Sequence, residues 1–299
     1  MIRRRREPEP PFPPALPPGR LVNLPGRGET FIREVEGPGH GPTILLLHGW
    51  TASADLNWFQ AYEALGRIGR VLALDHRNHG RGIYSEVPFQ LEDAADDAAA
   101  LLDELGTGPV IAVGYSMGGP IASLLRHRHP DKVAGLVLCA TALEWNATLR
   151  ERVVWKVVRA SEILFRLGPP RSLMEKYLRD AIDTCPDIAG IRGWLVGEIR
   201  RGDPIGVHEA GLALGRYDAR PFAGSLAVPT SVIVTTKDRL VRRRKQRQLA
   251  KAIPGAEVFE LEGDHDAALV MPVEFRRVLE GAVRGVAARV QPGAERIGA

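Results

Sequence analysis

Residues 110–125 constrain this chain more than any other stretch. Val110-Ile111-Ala112-Val113 favours a strand, Gly114-Tyr115-Ser116-Met117-Gly118-Gly119 follows without a spacer, and Ile121-Ala122-Ser123-Leu124-Leu125 reads as helix. A serine caught between a strand end and a helix start sits on a tight turn, and glycines two positions to either side remove the Cβ atoms that would collide there. Such a turn pushes the hydroxyl out of the sheet, which makes Ser116 a candidate nucleophile. The Gly-x-Ser-x-Gly pattern alone recurs by chance, so its meaning comes from the flanking strand and helix. The plain alternative is a glycine-rich turn with an idle serine.

Around this run, strand-like and helix-like segments alternate from about residue 21 onward, the pattern of a parallel sheet flanked by helices. Residues 30–35 read as an edge strand. Thr43-Ile44-Leu45-Leu46-Leu47 is a continuous apolar run, as a strand covered on both faces requires. Further strands are expected at 70–75, 133–140, 230–235 and 257–261. Residues 91–105 read as a helix with Leu91, Ala94, Ala95, Ala98, Leu101, Leu102 and Leu105 on one face. Glu92, Asp93, Asp96 and Asp97 fall on the opposite face near the helix start, where the macrodipole favours acids, so they read as a solvated face. About 80 residues then interrupt the rhythm with amphipathic helical sequence. The expected organisation is a flexible Pro/Arg-rich leader at 1–20, a core at 21–141 and 223–299, and a helical cap inserted at 142–222.

Composition limits the partners. The formal charge is +4, but arginines concentrate in Arg3 to Arg6 and in Arg242-Arg243-Arg244-Lys245 with Arg247. The first group sits in a leader whose prolines (Pro8, Pro10, Pro11, Pro13, Pro14, Pro17, Pro18) forbid helix and strand, and the second reads as a solvated helix face. No aromatic residues interleave with either, which argues against nucleic acid. No stretch approaches the length of a membrane span. Within the insertion, Val153, Val154, Val157, Val158, Ile163 and Leu164 alternate with Lys156, Arg159 and Arg166. Packing of that stripe over the sheet is the common use; weak contact with a membrane surface is the other. The start of the chain lacks the apolar region of a cleaved signal, and Cys139 and Cys185 give neither a disulfide framework nor metal spacing, so a cytoplasmic protein is expected. The sequon Asn146-Ala147-Thr148 carries no weight in that setting. No Gly-x-Gly-x-x-Gly or Gly-Lys-Ser/Thr follows a strand, so no nucleotide cofactor is implied, and no metal is implied either.

A serine hydroxyl needs a base within hydrogen-bond reach and a third group to orient that base. Asp238 follows the strand ending Thr235-Thr236-Lys237, and His265 follows the last strand in Gly263-Asp264-His265-Asp266. The order Ser116, Asp238, His265 is that of the nucleophile-elbow hydrolases. Together with Leu47-His48-Gly49-Trp50, Gly114-Tyr115-Ser116-Met117-Gly118-Gly119, Asp238 before Leu240-Val241, and Gly263-Asp264-His265, residues from about 21 to the end resemble a capped α/β-hydrolase of the esterase-like kind. The resemblance implies an α/β fold, with Ser116, Asp238 and His265 catalytic and the backbone NH groups of Met117 and Trp50 forming an oxyanion hole. It also offers Glu144 as an alternative acid. One departure is Asp75-His76-Arg77-Asn78-His79-Gly80-Arg81-Gly82, where relatives often carry Asp-x-Arg-Gly-x-Gly-x-Ser; Asn78 replaces a glycine and tolerates positive φ. Asp264, where a small residue is usual, is expected to face solvent.

His48 is expected to hold the oxyanion turn by hydrogen bonds. His76 and His79 lack metal spacing, His127 and His129 end a helix, and His208 has no assigned role. The side chains of Trp50, Met117, Trp155 and Trp194, with Phe165 and Leu173, imply an apolar pocket. The expected activity is hydrolysis of a carboxylic ester, thioester or amide of a small, largely apolar molecule through an acyl-enzyme on Ser116. Perhydrolysis, C–C bond hydrolysis and acyl transfer use the same groups, and a non-catalytic ligand-binding protein of this fold is the reading from a different class.

Overall fold

The computed structural model describes residues 13–167 and 171–290, side chains at 165–175 excepted. Arg3 to Arg6, the first three prolines of the leader, and the side chains of Phe165 and Leu173 therefore lie outside the described residues.

In chain order the elements are β1 (Gly19–Leu24), β2 (Gly28–Val35), β3 (Thr43–Leu47), α1 (Ala54–Trp58), α2 (Tyr62–Gly66), β4 (Arg70–Leu74), α3 (Leu91–Glu104), β5 (Val110–Tyr115), α4 (Gly118–Arg128) and β6 (Val133–Cys139). Then come α5 (Leu149–Ala160), α6 (Glu162–Leu167), α7 (Arg171–Thr184), α8 (Arg192–Ile199) and α9 (Pro204–Leu214). The chain returns to the sheet with β7 (Thr230–Thr235), α10 (Arg243–Ala252), β8 (Glu257–Leu261), α11 (Ala267–Val270) and α12 (Pro272–Val290).

One sheet has the order β1-β2-β4-β3-β5-β6-β7-β8, antiparallel only in the β1/β2 and β2/β4 pairings. The long apolar runs expected to be parallel strands occupy its centre. Alternate side chains of each central strand point to opposite faces. Leu45, Leu47, Leu72, Leu74, Ala112 and Leu136 join the core under α3 and α4, whereas Ile44, Leu46, Val71, Ala73, Ile111 and Val137 join the core under α2 and α12. Covering both faces explains why these strands are continuously apolar.

Two expectations are corrected at the start of the chain. Residues 30–35 are not the edge, because β1 pairs outside them, with Gly19 opposite Arg33. The end of the leader is docked, not free: Arg33 donates to the Pro17 carbonyl at 2.7 Å, and Leu16 packs against the core. β1 escapes a reading by apolar runs because its first three residues are exposed.

The acids of α3 also differ from expectation. Asp97 is 2% exposed and takes a two-pronged ion pair from Arg77 at 2.7 and 2.8 Å, with Arg27 as a further partner. Asp96 pairs with Arg128 and His129. A helical wheel assigns these carboxylates to solvent because it cannot show that the loop after β4 and the end of α4 meet that face.

Candidate active site

Every central strand of the sheet runs parallel, so β3, β4, β5, β6, β7 and β8 all end on one edge, the position at which open α/β sheets bind ligands. Among the described residues, four non-glycine positions have left-handed backbone, Thr51 (φ +61°), Asn78 (+57°), Ser116 (+51°) and Ala140 (+49°), and they follow β3, β4, β5 and β6 in turn. Such conformations cost of order 1–3 kcal/mol each and persist where the surroundings impose them. Among the described residues this strain is thus gathered at one edge.

Ser116 occupies the turn expected of it. A Cβ on Gly114 would stand 2.2 Å from the Gly118 carbonyl oxygen, and one on Gly118 would stand 2.1 Å from that of Leu47. Neither position can carry a side chain, so the two glycines are what let β5 turn directly into α4. Ser116 itself is 6% exposed, and its amide donates to the Cys139 carbonyl, tying the turn to β6.

Three loops meet at this hydroxyl. His265 Nε2 lies 3.0 Å from Ser116 Oγ, and His265 Nδ1 lies 2.9 Å from Asp238 Oδ2. The carboxylate is itself fixed: Oδ1 accepts from the amides of Leu240 and Val241 at 2.9 and 2.7 Å, and Oδ2 accepts from Thr235 Oγ1 at 2.8 Å. Glu144 is elsewhere, paired with Arg220 at 3.4 Å.

Several supports of this chain of hydrogen bonds carry no sequence signal. Asp264 does not simply face solvent: its Oδ1 accepts from the amides of Arg239 and His265 at 2.9 and 2.8 Å, joining the loop of Asp238 to the loop of His265. Tyr115 donates its hydroxyl to the His265 carbonyl at 2.7 Å. Gln246, fully buried on α10, donates to the Val241 carbonyl at 2.7 Å and to Thr235 Oγ1 at 2.8 Å, completing a path from α10 through Thr235 to Asp238. Only Tyr115, adjoining Ser116 within the motif, offers a positional hint.

The His48-Gly49-Trp50 turn lies against the serine, since a Cβ on Gly49 would come 3.3 Å from Ser116 Cβ. The imidazole of His48 is locked in one tautomer. The His76 amide donates to Nε2 at 3.0 Å, which leaves Nδ1 to donate to the Gly49 carbonyl at 2.8 Å. Burial pushes His48 down to about 4, against the pull of that carbonyl. His76 and His79 complete a sealed trio whose rings lie 4.1 and 5.5 Å from that of His48. Burial, reinforced by His48, pushes His79 down to about 3 and His76 well below its ordinary value. The loop bearing them is anchored by Asp75, which accepts from the amides of Ala54 and Arg81. Asn78 accepts from the Ser85 amide and donates to its carbonyl.

The aromatic residues assigned to a pocket separate. Trp50 and Trp155 come together, ring centroids 6.2 Å apart, and Trp50 Nε1 donates to the Val207 carbonyl on α9. Met117 is fully buried within the core, so its side chain does not line an open pocket; only its position at the start of α4, where helix amides lack intrahelical acceptors, bears on the site. Trp194 packs edge-on to Phe59 in a different cluster, between α7, α8 and α11. His208 fastens α9 to α5 through the Val158 carbonyl at 2.7 Å. Thr148 of the sequon caps α5 in a reciprocal pair with Glu151.

A parallel sheet with a strained serine after its central strand, hydrogen-bonded to a histidine that a carboxylate holds, defines an α/β-fold hydrolase. Comparison with known proteins agrees. Residues 42–174 match the family described as alpha/beta hydrolase fold. A pimeloyl-[acyl-carrier protein] methyl ester esterase of Neisseria meningitidis serogroup C is 29% identical over 251 residues, covering 81% of this chain and 94% of that one. Among solved structures, the enol-lactonase from Burkholderia xenovorans LB400 superposes with a TM-score of 0.75 at 24% identity, covering 89% of this chain and 100% of that one. An esterase from Thermogutta terrifontis gives 0.75 at 24%, covering 90% and 99%. The chain has the α/β-hydrolase fold, and over most of its length it is similar to proteins named as esterases.

Proposed function

We propose that Ser116 hydrolyses a carboxylic ester of a small, largely apolar molecule by way of an acyl-enzyme. The observation that carries this reading is the unbroken path Asp238 Oδ2, His265 Nδ1, His265 Nε2, Ser116 Oγ, with the serine on a strained turn. In the proposed sequence His265 accepts the Ser116 proton as Oγ attacks the acyl carbonyl, and Asp238 stabilises the imidazolium. The amides of Trp50 and Met117 receive the developing oxyanion, a task typically contributing roughly 3–4 kcal/mol per donor. His265 returns the proton to the departing alcohol, then activates water against the acyl-serine.

Residues 142–222 act as a cap in this reading, supported by its ties to the strained loops: the Asp203 amide donates to the Asn78 carbonyl, the Glu209 carboxylate accepts from the Phe89 amide, and the Glu198 carboxylate accepts from Ser53 Oγ. Trp50 and Trp155 supply the apolar wall beside the serine. A cytoplasmic setting suits Cys139 and Cys185, both buried and free. No helix among the described residues is long and apolar enough to cross a membrane.

The test is turnover of chromogenic esters of increasing acyl length, together with methyl esters, by the wild type and by Ser116→Ala. At least one ester is expected to turn over, with a loss on the order of 10³ or more in the variant. A phosphonate probe is expected to label Ser116. Equal turnover by the two proteins, or labelling at another hydroxyl, removes the covalent role of this serine. Adding peroxide or an alcohol and measuring product partition separates hydrolysis from perhydrolysis and acyl transfer.

A further inference from the structure

Val153, Val154 and Val157 of α5 do not pack over the sheet as their spacing suggests. Leu149, Val153 and Val157 are 77%, 52% and 61% exposed, and Ile163 and Leu164 of the adjoining α6 are 70% and 61% exposed. The residues of α5 that turn inward are Glu151, Trp155 and Val158: Glu151 pairs with Lys245, Trp155 packs on Trp50, and the Val158 carbonyl meets His208. At 3.6 residues per turn, Leu149, Val153, Val157 and Ala160 share an arc of roughly 80° on the side away from these three. Lys156, Arg152 and Arg159 border the arc on one side and Arg150 on the other. All four are exposed, and none pairs with a carboxylate among the described residues.

We propose that this outward face of α5, continued by Ile163 and Leu164, is a docking surface for an anionic lipid bilayer. A soluble monomer rarely leaves so many neighbouring large apolar side chains in water without using them. A helix lying in the plane of an interface needs an apolar stripe to enter the acyl boundary and cations beside it, whose aliphatic stems reach past the stripe to the headgroups. α5 has that arrangement over its full twelve residues, a length far short of a span. Charge selects the occupant. A second copy docked through the same patch would bring the bordering cations of the two molecules together, whereas an anionic surface neutralises them.

The inner side of α5 carries Trp155 against Trp50, so the docked helix lies between the bilayer and the turn beside Ser116. An ester dissolved in the bilayer is then the natural substrate, and this consequence alone rests on the hydrolytic role of Ser116.

The test is co-sedimentation of the full chain with vesicles of phosphatidylcholine alone and of phosphatidylcholine mixed with phosphatidylglycerol. The wild type is expected to pellet with the mixed vesicles, to pellet far less with phosphatidylcholine, and to be released by high salt. The double variant Val153→Asp with Val157→Asp, and separately Arg152→Glu with Lys156→Glu, should each partition at least about 10-fold more weakly. Both should hydrolyse a water-soluble short-chain ester as the wild type does, which shows that they are folded. Absence of ester turnover with vesicle binding intact removes the reading of Ser116 and leaves docking standing. Three results overturn docking: a wild type that stays in the supernatant with every vesicle, variants that pellet as the wild type does, or a wild-type dimer that the valine variant dissociates, which assigns the face to a second copy.

Discussion

His265 and the trio His48, His76 and His79 stand at the same edge of the sheet, yet their surroundings give them opposite chemistry. His265 keeps about a fifth of its side chain exposed and faces a carboxylate through one nitrogen and a hydroxyl through the other. The trio is sealed, and each ring is pushed toward the neutral form, with burial as the largest cause. What separates the proposed base from a structural prop here is not the imidazole but whether an anion and solvent are near it.

The largest expected effect breaks the charged side of this comparison. Asp238→Asn leaves the shape of the loop but lets the amide favour the wrong tautomer of His265, and kcat should fall by about 10³–10⁴. Glu144→Gln, away from the histidine, should leave steady-state ester kinetics within about 2-fold. The reverse ranking would assign the acid to Glu144.

The neutral side makes its own prediction about pH. Each ring of the trio has a folded-state pKa below its unfolded value near 6.5, so below about pH 6.5 the unfolded chain binds more protons. Their contribution to stability is complete above that pH and is lost as pH falls toward the folded values of about 4 and 3. The slope is up to ~1.4 kcal/mol per pH unit for each ring. His79→Asn, whose amide can still reach the Arg77 carbonyl, should flatten urea-unfolding free energies between about pH 6.5 and 4.5 by up to that amount per unit. An unchanged slope would mean that His79 is not held neutral.

Smaller effects sharpen the role of the supports. Asp264→Ala removes the acceptor shared by Arg239 and His265, and should lower kcat about 10-fold with KM nearly unchanged, because it loosens the base without touching substrate. Asp264→Asn, which keeps the accepting oxygen, should restore most of the rate. Asn78→Gly keeps the left-handed backbone but loses both bonds to Ser85, for about 1 kcal/mol of stability; Asn78→Ala adds strain and should cost about 2. Equal midpoints for the two in chemical denaturation would show that φ at this position carries no strain.

Much of this was legible from residues alone, for reasons tied to local geometry. A strand covered on both faces must be apolar nearly throughout, so β3 is readable to the residue. The elbow needs glycine at 114 and 118, because any Cβ would meet a backbone carbonyl. The order of serine, acid and histidine follows from which strands end at one edge. Tertiary structure alone decided the rest. Asp97 was drawn from solvent into a buried pair because the loop after β4 arrives from 20 residues away. Gln246 and Asp264 became supports because a turn on one strand meets a loop from another. Val153 and Val157 of α5 are left in water because Glu151 and Trp155, not the apolar stripe, found partners, in Lys245 of α10 and in Trp50. Periodicity states that a helix has an apolar face; which face turns inward depends on contacts made by chain far away in sequence, and these are absent from any local pattern.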